Sequence, residues 1–322
     1  MAALDVEMLA RNLIGGMEMQ EFDRVVREKR VAKFQGALGA EQLDQLYGVA
    51  KLEELLKNEA IPMLSVDLFD GGQLRRLVDV QNKSGKSGLA VIAESLRKGA
   101  TVRVRDADKF DAGLGRFAEE IRRRFMAQSQ INVYLTPPSQ MGFAPHFDTT
   151  DAFIVQCAGR KEWKIFHEYS NKTELPVMET VWDAGRFRPC GAAENITLRP
   201  GDVLYVPRGA MHEAFCTERE SMHLTISIAP LTFADLIGKA LRAAAESDIA
   251  FRRRVPWSVE GGEGGFADVE AQARELARGL AGRIDVQALL DVERGALLGV
   301  GGAGELGDLK AALLGRPRGA GE

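Results

Sequence analysis

His146-Phe147-Asp148 and, further on, His212 give this sequence two imidazoles and one carboxylate in settings that can bring them together. In extended backbone, side chains two positions apart share a face, so His146 and Asp148 point one way while Phe147 turns the other. His212 closes the run Gly201-Asp-Val-Leu-Tyr-Val-Pro-Arg-Gly-Ala-Met-His. Its strand-like part, residues 202–206, is stopped by Pro207 and Gly209, residue types that turn a chain and set a side chain at a strand end. Two His and one carboxylate occupy one face of an octahedron and leave the other open, which suits Fe(II) that binds a cosubstrate and O2. His-x-Asp alone is a weak pattern, and a lone histidine is more often structural than a ligand. The spacing of Gly201, Pro207, Gly209 and His212 supplies the missing specificity, in a chain with only four histidines.

Such ligands need a rigid scaffold. Residues 4–57 read as helical, with Leu43, Leu46, Tyr47 and Ala50 at the spacing of one buried stripe. Strand-like runs follow at 63–69 and 101–105, and Leu114, Phe117, Ile121 and Phe125 mark a helix over 112–127. From residue 131 the pattern is β: runs at 131–136, 146–148, 152–158, 161–166, 196–198, 202–206 and 221–229, with Gly159-Arg160 read as a hairpin turn. Closely spaced short strands predict an antiparallel sandwich or barrel. Past Pro230, Thr232 and Asp235 form a capping-box start for a helix whose apolar face is Phe233, Leu236, Ile237, Ala240 and Leu241. Residues 258–265 read as a flexible linker, followed by helices near 267–281 and 285–297 and a Gly-rich, poorly ordered tail. Within that tail Gly299–Gly304 spells GxGxxG, but no strand–helix pair surrounds it, so a nucleotide site is rejected.

At 322 residues, 45% apolar and 27% charged, the chain has the composition of an ordinary globular protein with a sizeable core. Its net charge of −4 argues against direct nucleic-acid binding. The arginine runs 122–124 and 252–254 read as solvated helix faces. Cys157, Cys190 and Cys216 make no CxxC and are odd in number, which fits a reducing compartment. An acidic N-terminus without an apolar targeting core, and no stretch long enough to cross a bilayer, predict a cytoplasmic protein without membrane contact. HExxH, GxSxG and Walker sequences are absent.

Several segments together resemble the JmjC-type, cupin-fold Fe(II)/2-oxoglutarate oxygenases, and within them the ribosomal-oxygenase-like branch. These are residues 131–138, Phe143-Ala-Pro-His-Phe-Asp148, Val155-Gln156, Gly159-Arg-Lys-Glu-Trp-Lys164, the run ending at His212, and Met222-His-Leu-Thr-Ile-Ser227. The resemblance is close over 130–230 and loose over 20–245. It implies a mixed α and β fold: a double-stranded β-helix (jelly-roll or cupin) core with N-terminal helical support and C-terminal helices. Residues 1–230 would form the catalytic domain, and 231–322 a helical region with dimerisation helices and a reduced or absent winged helix.

The same resemblance makes His146, Asp148 and His212 the Fe(II) ligands and Lys161 the cation for the distal carboxylate of 2-oxoglutarate. Arg160 is the alternative cation, but strand parity groups Lys161 with Trp163 and Ile165 on an inward face. Asn132 and one of Thr225 or Ser227 would help hold the cosubstrate, with Tyr134 and Asp151 near the substrate; for the alternating positions Asn132, Tyr134, Thr225 and Ser227 the alternative is a polar face turned to solvent. Phe153, Trp163 and Ile165 are expected as apolar walls. His167 is expected to be exposed, and His223 to support the site or simply be buried. The implied activity is hydroxylation of an unactivated C–H bond with O2, forming succinate and CO2. The implied substrate is a protein or peptide side chain, histidine or arginine, acted on by a homodimer. The alternatives are a peptide natural-product precursor or small metabolite as substrate, or a metal-binding cupin without oxidative chemistry.

Overall fold

The protein is described here by a computed structural model covering residues 4–57, 63–71, 73–138, 140, 142–255 and 265–297. The chain divides into two compact units, residues 1–230 and 231–322.

In the first unit the N-terminal segment forms α1 (Val6–Asn12), α2 (Met19–Arg27), α3 (Ala40–Leu46) and α4 (Val49–Lys57). This helical stretch is interrupted by β1 (Ala32–Phe34), which the helical reading of 4–57 does not anticipate. It is only three residues long and is fixed by non-local pairing, Lys33 opposite Leu204. Next come β2 (Val66–Asp70), β3 (Gln73–Arg76), α5 (Leu77–Ser84), α6 (Gly88–Arg97), β4 (Thr101–Val104) and α7 (Ala112–Phe125). The Asp111 carboxylate accepts the Leu114 N–H at 2.8 Å and caps α7. Beyond α7 lie β5 (Ala127–Thr136), β6 (Asp151–Tyr169), β7 (Pro189–Leu198), β8 (Val203–Val206) and β9 (Met211–Pro230).

All nine strands join one antiparallel system in the order β1-β8-β6-β9-β5-β4-β2-β3, with β7 added on β6. The two long strands β6 and β9 run side by side from Asp151↔Ile228 to Phe166↔Met211. Their pairing brings Lys161, Trp163 and Ile165 opposite Cys216, Ala214 and His212. One face of the sheet is apolar: Ile131, Val133, Phe153, Val155, Leu224 and Ile226 pack with Phe22, Leu46, Phe117 and Ile121 of the helical layer. Burying a side chain of that size contributes roughly 1.5–3 kcal/mol.

Three sequence expectations are corrected. Gly159-Arg160 is not a hairpin turn, because residues 151–169 are one strand whose register shifts between Gln156 and Ala158 and again between Gly159 and Lys161. Gly159 sits at φ +67°, where a Cβ would fall 1.7 Å from the Glu220 carbonyl oxygen, so the glycine serves an irregular strand and not a chain reversal. The Gln156 amide steadies it by donating to Ala158 O at 2.7 Å and to Ser221 Oγ at 2.8 Å. These irregularities also change strand parity. Of the odd residues in the second half, Lys161 and Trp163 line the pocket at the metal cluster while Ile165 lines a separate one; in the first half the even residue Ile154 faces the cluster. Phe153 therefore lies on the helical side, stacked on Phe22 at 5.6 Å, and is not a wall of the site. Residues 146–148, for their part, do not form a strand but a single antiparallel bridge, His146↔His212.

The second unit holds α8 (Phe233–Ser247), α9 (Phe266–Ala281) and α10 (Val286–Leu297). The capping box at its start is present: Thr232 N donates to Asp235 Oδ2 at 2.8 Å, and Asp235 N to Thr232 Oγ1 at 3.2 Å. Among the described residues this unit contains no strand. The expected linker lies outside the described residues except for Gly265, and the Gly-rich tail lies outside them altogether. No helix among the described residues is long and apolar enough to cross a membrane.

Candidate metal centre and its pockets

His146 and His212 exchange two backbone hydrogen bonds, His146 N to His212 O at 3.0 Å and His212 N to His146 O at 2.7 Å. Directly opposed residues in such a bridge project to the same side, which brings the ring centroids to 4.5 Å. Each ring is fixed from behind: Nδ1 of His146 meets Ala144 O at 2.8 Å, and Nδ1 of His212 meets Ala210 O at 2.9 Å. A carbonyl can only accept, so both Nδ1 atoms carry the proton and both Nε2 lone pairs face forward. Asp148 supplies the third donor, its Oδ2 3.8 Å from His212 Nε2. The three ligand atoms lie within 4.8 Å of one another. Burial, and next the neighbouring His146, push the pKa of His212 down to about 4, so it is neutral and ready to bind a metal at pH 7.

The turn before His212 is built for this placement. Gly209 N donates to Asp148 O at 2.9 Å. Gly209 adopts φ +83°, and a Cβ there would approach Pro176 Cδ at 2.8 Å. The Arg208 N–H reaches the Asp151 carboxylate at 2.8 Å. Asp151 is buried, which holds its pKa above the ordinary carboxylate range. It thus secures the turn and does not line the pocket at the metal cluster. Phe147 turns to the other side, into an aromatic cluster with Tyr169 and Phe187.

Behind the cluster lies a pocket of about 170 Å³ that includes Lys161, Trp163, Tyr134, His223 and Thr225. Lys161 is only 2% exposed. Its ammonium donates to Thr136 Oγ1 at 2.9 Å, and Thr101 Oγ1 lies 3.2 Å beyond. No ion pair to Lys161 exists among the described residues, and burial lowers its pKa to about 8. A buried ammonium without a counter-charge beside a pocket calls for an anionic ligand. Trp163 Nε1 and His223 Nδ1 in the same pocket are also buried without a partner. His223 stacks on Tyr134, with centroids 4.7 Å apart and planes 4° apart. Arg160 points elsewhere and pairs with Glu162. His167 is exposed and pairs with Glu194 at 3.1 Å.

A wider groove of about 650 Å³ opens beside this pocket and shares Arg103, Tyr134, Asp148 and Thr225 with it. Asn132 and Ser227 line this groove and not the inner pocket. The Asn132 Oδ1 accepts the Asp106 N–H at 3.0 Å.

Arg103 escaped the sequence reading. It stands on β4 opposite Tyr134 of β5, and Asp67, fully buried, holds it at 2.5 and 3.0 Å. Burial works against the guanidinium charge, yet the adjacent Tyr134 and Asp67 raise its pKa. The available signal was a charged residue alternating with valines in Thr101-Val-Arg-Val104. That signal does not say which site the residue reaches.

The profile of the JmjC domain matches residues 108–236, a span that contains all three ligands and Lys161. The chain carries a JmjC domain. Two curated proteins share likeness over a longer stretch than that profile. Ribosomal oxygenase 1 of Danio rerio is 30% identical over 223 residues, 66% of this chain and 40% of that protein. The bifunctional lysine-specific demethylase and histidyl-hydroxylase NO66 of Dictyostelium discoideum is 30% identical over 215 residues, 64% of this chain and 41% of that protein. The chain thus spans about two fifths of the length of these curated relatives. YcfD, a ribosomal oxygenase from Escherichia coli solved with cobalt and 2-oxoglutarate, superposes with a TM-score of 0.52 at 16% identity. That comparison covers 88% of this chain and 71% of YcfD, and it supports the JmjC/cupin fold.

Proposed function

We propose that this chain is an Fe(II)- and 2-oxoglutarate-dependent oxygenase that hydroxylates a C–H bond of a protein or peptide side chain. The observation that carries the reading is the unpaired, buried Lys161 ammonium facing the same pocket as the His146, Asp148 and His212 donors. Two imidazoles and a carboxylate fit Fe(II). Lys161 fits the distal carboxylate of a dicarboxylic acid whose other end reaches the metal. The chemistry supplied by that pair with O2 is oxidative attack on an unactivated C–H bond, with release of succinate and CO2. The protein's own part is to orient the imidazoles through Ala144 and Ala210, to grip the dicarboxylate, and to exclude water with Trp163 and Ile154.

Arg103 bears on the substrate. A guanidinium fixed at the mouth, beside the Tyr134 phenol, repels an arginine side chain and offers donors to a neutral acceptor such as an imidazole. Histidine is therefore favoured over arginine, in line with the histidyl-hydroxylase name of one relative. The test has two parts. Anaerobic addition of Fe(II) and 2-oxoglutarate should give a visible metal-to-ligand charge-transfer band that Lys161→Met abolishes. Peptides bearing histidine, but not those bearing arginine, should then gain one oxygen in mass spectra. A missing band removes the oxygenase reading, and an arginine preference removes the assignment to histidine.

The protein also acts as a homodimer through residues 231–322. On α8, Phe233, Ile237 and Leu241 recur every fourth residue and are 85%, 49% and 45% exposed, while α9 and α10 bury no residue. An apolar stripe of this kind marks an association surface. Light scattering should give a dimer for the wild type and a monomer for Ile237→Glu.

A further inference from the structure

The turn that leads to His212 has a second face. Behind residues 207–210 lies a cavity of about 490 Å³ in the first unit, and it shares no lining residue with the metal pocket or with the groove beside it. Three segments supply most of its lining: residues 28–31 after α2, residues 165–175 at the far end of β6 and in the loop beyond, and the turn itself. These segments are fastened to one another. The Tyr169 hydroxyl donates to Gly209 O at 2.9 Å and accepts the Thr173 N–H at 3.2 Å. Lys29 pairs with Glu174, which ties the first segment to the second.

Backbone strain gathers here as well. Lys29 stands at φ +52°, the left-handed position past the end of α2 that glycine usually fills, and Leu175 stands at φ +49°. Two of the five non-glycine residues with positive φ among the described residues therefore line this one cavity. Conformations of this kind cluster at ligand sites. The lining charges are balanced with one exception. Lys29, Arg30, Lys172 and His167 meet Glu174, Glu28, Glu168 and Glu194 in turn. The half-buried Arg208 guanidinium makes no ion pair among the described residues, and its one side-chain hydrogen bond there is long, to Pro176 O at 3.4 Å. A guanidinium presents a planar fork of donors that matches carboxylate and phosphate oxygens. Beside it Val31, Ile165, Phe166 and Leu175 provide apolar walls, and a cavity of this volume suits a small organic molecule.

The same turn also serves the metal ligands. Ala210 O accepts the His212 Nδ1 proton at 2.9 Å, Gly209 N donates to Asp148 O at 2.9 Å, and both residues line the cavity. We infer that this cavity is a second ligand site, for a small organic anion whose carboxylate or phosphate meets Arg208, and that its occupancy tightens metal binding by fixing the turn behind His212 and Asp148. The inference goes beyond the function proposed above and does not depend on it, since neither Lys161 nor the oxidised substrate takes part.

Calorimetric titration of the full chain, free of 2-oxoglutarate, tests it with phenyl phosphate, phenylacetate and the uncharged phenylacetamide. Wild-type protein should bind at least one of the two anions about tenfold or more tighter than the amide, and the tighter of the two identifies the head group. Arg208→Gln should remove that preference. So should His167→Glu, an exposed position where a new carboxylate repels an anion. Lys161→Met, which disables the inner pocket, should retain it. Saturating anion should raise Mn(II) affinity about fivefold, after correction for the anion's own complex with Mn(II), and Mn(II) should raise anion affinity by the same factor. Equal binding of anions and amide by the wild type, a preference that survives in both Arg208→Gln and His167→Glu, or one that Lys161→Met removes, overturns the site. An unchanged Mn(II) affinity overturns its link to the metal.

Discussion

Lys161→Met should make the ligand-free protein more stable while weakening dicarboxylate binding. The lysine is fully buried beside Thr136 with no counter-charge among the described residues. Its pKa falls from 10.5 to about 8 because burial disfavours the charged form. At about 1.4 kcal/mol per tenfold change in proton affinity, the ammonium destabilises the folded state at pH 7 by about 3 kcal/mol. Methionine has similar length and no charge, so that penalty disappears, and a unit of this size should gain roughly 6–12 °C in Tm. The pH dependence has a definite sign. Between pH 8 and 10.5 the unfolded chain binds more protons than the folded one, so wild-type stability should rise over that interval and the variant should lack the rise.

Binding moves the other way. Removing one partner of a buried, hydrogen-bonded charge pair costs about 2–5 kcal/mol, which weakens 2-oxoglutarate binding by about thirtyfold to several thousandfold. Wild-type affinity should itself decline above pH 8 as the free ammonium is lost. Differential scanning fluorimetry of the metal-free protein across pH gives the first quantity, and calorimetric titration of 2-oxoglutarate into the Mn(II)-loaded protein gives the second. A Lys161→Met protein that melts lower than wild type without ligand, or that still binds 2-oxoglutarate at wild-type strength, would refute the reasoning.

Other expectations concern the elements around the site. His146→Ala and Asp148→Ala should end succinate formation with an unchanged circular-dichroism spectrum; turnover persisting in either would count against the cluster. Gly209→Ala should destabilise by about 1–3 kcal/mol, because alanine is strained at that backbone angle, and metal retention on a desalting column should drop as the contact to Asp148 loosens. Phe153→Ala should cost roughly 3–5 kcal/mol in urea unfolding. Its effect on 2-oxoglutarate affinity should stay small, since its ring faces the helical layer.

The metal cluster was legible because short-range geometry places it. His146 and Asp148 are two residues apart, and Pro207 and Gly209 announce the turn ahead of His212. Lys161 could be found because parity along one strand carries information over a few residues. Arg103 could not, since its position depends on β4 pairing with β5 in one particular register, a tertiary fact with no local trace. The misread hairpin has a similar origin. Gly159 carries the left-handed conformation a turn would need, but the strand beyond it continues because β9 pairs on both sides of the irregularity. The brevity of β1 hid it within an otherwise helical segment. Asn132 and Ser227 were sorted correctly by face, yet parity says nothing of depth along a strand, and depth separates the inner pocket from the groove.

The irregular stretch of β6 between Gln156 and Lys161 works as a phase shifter. Ahead of it, alternate side chains answer to the helices; behind it, the complementary set answers to the reaction. Losing a single residue there would rotate Lys161 out of reach of any ligand while leaving every hydrophobic contact of Phe153 and Val155 intact. Length changes in this short window are therefore the mutations most apt to yield a folded but inert protein, and homologous chains can be sorted by counting residues across it.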